Sequence, residues 1–106
     1  MRVDRDWLQA RDGLHDARVQ LVAEHAGDLV IHVDDEWANE RGGGEVQLTP
    51  GWLTFRGFSV FEGGLTELEN GWISELRVGE TGAFEIAFCD RIRLVVRASE
   101  AFWTAR

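Results

Sequence analysis

Ala83-Phe84-Glu85-Ile86-Ala87-Phe88-Cys89-Asp90-Arg91-Ile92-Arg93-Leu94-Val95-Val96-Arg97-Ala98 alternates in side-chain character on either side of Cys89-Asp90-Arg91. A period of two belongs to a β-strand with one buried face. With Cys89-Asp90-Arg91 as the loop, Phe88 pairs with Ile92, Ile86 with Leu94 and Phe84 with Val96. Aromatic or branched residues then sit on aliphatic ones, the cross-strand pairs that stabilise sheets most. Trp72 to Val78, with Leu76 and Val78 inward, completes a three-stranded meander. Ala101-Phe102-Trp103 is expected to lie back over an open edge.

Toward the N-terminus the same period continues. Trp52 to Phe61 changes phase in its middle, which places a bulge or bend at Arg56-Gly57 and returns Phe58 and Val60 to the core. Ala17, Val19, Leu21 and Ala23 alternate with polar neighbours, as do Leu29, Ile31 and Val33. A loop of Ala26-Gly27-Asp28 pairs His25 with Leu29, Ala23 with Ile31 and Leu21 with Val33, keeping one apolar face. Val46 and Leu48 make a further short strand before Pro50-Gly51. The opening segment is the only helical candidate: Asp4 caps, Trp7, Leu8 and Arg11 share helical spacing, and Asp12-Gly13 stops it. The expectation is one mainly β domain over residues 1–106. It is an antiparallel sandwich or partly open barrel of about seven short strands with a short N-terminal helix.

Composition narrows the function. The chain has 106 residues, eleven basic against nineteen acidic, and a net charge of −8. Duplex nucleic acid demands a positive footprint, so it is excluded as a partner. Cys89 is the single cysteine, which rules out an internal disulfide and points to a reducing cytoplasm. No apolar run reaches the length of a membrane span and no signal-peptide core follows Met1, so no membrane association is expected. All eleven basic residues are arginine, which fits a codon-biased bacterial genome better than a functional demand.

Local motifs for chemistry are few. Leu14-His15-Asp16-Ala17 places a general base beside an orienting carboxylate, but strand neighbours point to opposite faces, so local hydrogen bonds at the strand start are the expectation. The three histidines lack metal-ligand spacing, and no metal or cofactor is expected. Arg77, Arg93 and Arg97 share outward parity on the terminal meander and form a possible anion-binding face, although Glu75 and Glu85 can pair with them. Cys89 and the serines lie in no nucleophile motif, so the chain is expected not to be an enzyme.

Asp12-Gly13-Leu14-His15-Asp16-Ala17, Leu53-Thr54-Phe55-Arg56-Gly57 and Gly71-Trp72-Ile73-Ser74-Glu75-Leu76 resemble small bacterial β-rich proteins that open with a Leu-His-Asp-Ala string. Some related kinds are toxin immunity proteins. The resemblance implies a bacterial β domain and transfers no catalytic residue.

Two acidic stretches remain. Residues 28–45 carry six acids against Arg41, and residues 62–80 carry Glu62, Glu67, Glu69, Glu75 and Glu80 against Arg77. They fit an acidic protein–protein interaction domain that steers a basic protein toward itself. Asp34, Asp35, Glu36, Trp37 and Glu40, followed by the Gly42-Gly43-Gly44 hinge, are the expected recognition surface, with Trp37 as anchor. Two alternatives stand beside it. One is a small-ligand carrier with a cavity lined by Trp52, Phe55, Phe58, Phe61 and Phe88, and the other is an enzyme centred on His15. Homo-oligomerisation through an edge strand is compatible with all of these.

Overall fold

The computed structural model describes residues 1–34, 51–89 and 91–105. Asp4 accepts a hydrogen bond from the Trp7 amide at 2.9 Å and so caps α1 (Arg5–Ala10) as its sequence predicts. A 3₁₀ turn, Asp12–Leu14, ends the helical part, with Gly13 at φ +61°. Eight strands are described: β1 (Arg18–His25), β2 (Asp28–Asp34), β3 (Gly51–Arg56), β4 (Ser59–Gly63), β5 (Glu75–Val78), β6 (Phe84–Phe88), β7 (Arg91–Arg97) and β8 (Glu100–Ala105). They form two antiparallel four-stranded sheets, ordered β1-β2-β3-β8 and β4-β7-β6-β5. The architecture is a sandwich rather than a closed barrel.

The core lies between the sheets. Leu29, Ile31, Val33, Leu53 and Phe55 face Leu76, Phe84, Ile86, Leu94 and Val96, all buried. Phe55 meets Phe84 edge-on, with ring centroids 5.0 Å apart, and α1 closes one end by setting Trp7 at 5.7 Å from Trp103. The meander pairs Phe84 with Val96 and Ile86 with Leu94, as its alternation predicts.

Three bulges correct the finer registers. One at Gln20 shifts β1 by a residue, so Val19 is buried while Leu21 is 49% exposed and Val22 packs on the core. His25 therefore pairs with Asp28 and Val22 with Ile31, across a two-residue Ala26-Gly27 turn instead of a three-residue loop. Both turn residues have positive φ, +51° and +84°, the primed-turn geometry that suits twisted hairpins. A second bulge, at Arg93, pairs Ala87 with Ile92 and Phe88 with Arg91, turning Ile92 outward. A third lies at Phe61 in β4. Arg56-Gly57 is a bend, as expected, but it passes the chain from one sheet to the other, and Val60 beyond it is 42% exposed.

Edges decide where a site can form. β8 is an edge strand on β3, and residues Met1 to Val3 bond along its outer side. Residues 70–73 bond to residues 16–19 and cover the first half of β1. β5 lies beside the Asp12–Leu14 turn and α1. β4 has no described strand beyond it, and all five of its residues are exposed.

Candidate functional site

An open groove of about 640 Å³ runs between α1, the Asp12–Leu14 turn and the outer edge of β5. It contains His15, whose Nδ1 lies 2.7 Å from the Ser74 carbonyl oxygen. A carbonyl only accepts, so Nδ1 carries hydrogen and donates to it. Nε2 stands 3.7 Å from the Asp16 carboxylate. The strand-parity expectation separated these two side chains. Asp16 has φ +68° and precedes β1, so alternation does not apply and the pair converges.

The groove has the outline of an acid–base site, but its groups serve the sheet edge. His15 contacts Ser74 through the backbone, and the Ser74 hydroxyl donates to the Ala87 carbonyl at 3.0 Å. Arg5 Nη2 reaches the Val78 carbonyl at 3.5 Å. A Cβ on Gly13 would lie 3.1 Å from the Leu76 carbonyl oxygen. Arg5 and His15 thus reach carbonyls at the two ends of β5, Val78 within it and Ser74 just before it, and the close packing of Gly13 on Leu76 leaves little room there for another strand.

The arginine face is engaged. Arg77 Nε donates to Glu85 at 2.6 Å and Nη1 lies 3.7 Å from Glu75. The hydrogen bond to Glu85, and then its charge, raise the Arg77 guanidinium above its ordinary pKa. Arg97 lies over the Phe61 ring at 4.7 Å, and the Arg93 Nε is buried with no hydrogen-bond partner among the described residues.

Of the expected recognition loop, Asp35, Glu36, Trp37 and Glu40 lie outside the described residues, as do Val46 and Leu48. Asp34 is described, and it is buried, accepting a hydrogen bond from Gln20. It therefore belongs to the sheet and offers no docking charge. The five carrier aromatics divide: Phe55 and Phe88 are core, Phe58 is partly buried against it, Trp52 alternates to the opposite face and stacks on His32 at 4.4 Å, and Phe61 is 62% exposed. Trp72 is 42% exposed, with Arg18 at 5.7 Å from its ring.

No family model, curated protein or solved structure matches the chain. No helix among the described residues is long and apolar enough to cross a membrane.

The sequence patterning turned this stretch toward the core and missed that β4 is an exposed edge. Ser59-Val60-Phe61-Glu62-Gly63 presents Val60 and Phe61 to solvent on a strand whose outer main-chain groups have no described partner. The available signal was Glu62-Gly63-Gly64 directly after the apolar dipeptide Val60-Phe61, which marks a short, irregular strand.

Proposed function

We propose that this chain is a non-catalytic protein-interaction domain whose docking surface is the exposed edge strand β4. One observation carries the proposal: Phe61, an aromatic side chain, is 62% exposed on a strand that is exposed along its whole length. Aromatic anchors on such surfaces supply much of the energy of protein association. The arginine over Phe61 fixes the ring without covering it fully. Resemblance to proteins related to toxin immunity proteins fits a binding role of this kind.

Phe61→Ala tests it. Loss of the cation–π contact should cost at most about 1 kcal/mol of fold stability, measured by urea denaturation. Affinity capture with the wild-type chain should retain a protein that the Phe61→Ala chain, equally folded, releases. Equal capture by both chains overturns the proposal.

A further inference from the structure

We propose that β4 receives an extended, basic segment of a partner protein, added antiparallel to the strand with its positively charged N-terminal half over Glu62. This rests on β4 being a docking edge and names its partner and mode of binding. A peptide that extends a sheet gains main-chain hydrogen bonds from the open edge and specificity from alternate side chains.

The acidic charge lies at one end of the edge. At its C-terminal end stands Glu62, and the chain continues through the Leu65–Glu67 turn to Glu69. Glu62, Glu67 and Glu69 are all exposed, and none pairs with a basic residue among the described residues. At the other end Ser59 pairs with Arg97, whose guanidinium lies over Phe61. Val60 and Phe61, the latter beneath that guanidinium, form the apolar part of the edge beside Glu62. An antiparallel strand begins opposite Gly63 and leaves past Ser59, so its N-terminal half meets the acids.

Local shape and net charge favour a partner segment over a second copy of this chain. The bulge at Phe61 bends the edge, and a single extended segment can follow that bend. A second copy would bring an equally bulged edge and its own net charge of −8.

Three acetylated, amidated nonapeptides test the proposal on the full chain. They are Lys-Val-Lys-Val-Thr-Val-Thr-Gly-Ser, the same sequence reversed, and a version with both lysines replaced by glutamate. The lysine-first peptide should slow amide hydrogen exchange at residues 59–63 and bind about tenfold tighter than either control. Phe61→Ala and Glu62→Arg should each weaken it about tenfold, whereas Glu80→Arg, a charge change in the β5–β6 turn, should leave it unchanged. Equal binding of the three peptides, protection confined to other strands, or no binding at millimolar peptide overturns strand addition. So does concentration-dependent protection of residues 59–63 without peptide, which would identify the occupant as a second copy. A captured protein whose binding needs Phe61 but leaves the β4 amides unprotected would overturn this inference while sustaining the docking edge.

Discussion

Gly63 ends β4 with φ +89°, a backbone conformation that glycine adopts without strain and L side chains rarely adopt. A Cβ built there would overlap the Arg93 carbonyl oxygen, which is backbone and has no rotamer to change. Gly63→Ala must therefore strain the residue and push β4 from β7. It should cost on the order of 1–3 kcal/mol in urea denaturation, the range for a residue held in a disfavoured backbone region. A cost near zero would show that β4 shifts freely on β7, and the register of the docking edge would lose its basis. Asp16 makes the converse point. It sustains φ +68° without being glycine, and that one angle brings its carboxylate to 3.7 Å from His15 Nε2. Periodicity assigns residues to faces and carries no information about such single-residue departures.

At the scale of elements, hairpin and bulge chemistry sets the registers. Ala26 occupies the first central position of the β1–β2 turn at φ +51°, where asparagine fits better, and it is exposed. Ala26→Asn should stabilise the fold by about 0.5–1 kcal/mol, the usual gain from a corrected turn residue, read as a raised urea midpoint at constant slope. A lowered midpoint would contradict the two-residue turn. The pairing of Phe84 with Val96 and of Ile86 with Leu94 was legible because those inward residues are large and apolar, whereas the bulge at Arg93, to which period-two counting is blind, broke the expected Phe88–Ile92 pair. The β1–β2 register was not. Gln20 is an extra residue on one strand, and period-two counting passes over it, placing Leu21 inside when half of it faces solvent. The exposure of β4 was hidden in a related way, because Val60 reads as core by parity with Phe58 although it is 42% exposed. Helix α1 was legible from its cap and from Trp7 and Leu8, since both signals are local.

For the whole molecule, strand edges explain both the fold's protection and its exposed site. Residues 1–3 line β8, residues 70–73 line the start of β1, and His15 and Arg5 reach the carbonyls of Ser74, just before β5, and of Val78 at its end. The sandwich thus leaves β4 as the edge strand exposed from end to end among those described. Opening free energies should follow this layout, because amides in buried central strands exchange only through large-scale unfolding while frayed edges open locally. β2 and β3 are central in their sheet, and Leu29, Ile31, Val33, Leu53 and Phe55 on them are at most 1% exposed. In native-state hydrogen exchange their amides should be the slowest, and those of residues 59–63 the fastest of any described strand. Dilution should leave that order unchanged, since no copy of the chain is needed to set it. If the β4 amides instead match β3 at high protein concentration and lose protection on dilution, the edge is already occupied by another copy, and a heterologous strand has no vacant place to add.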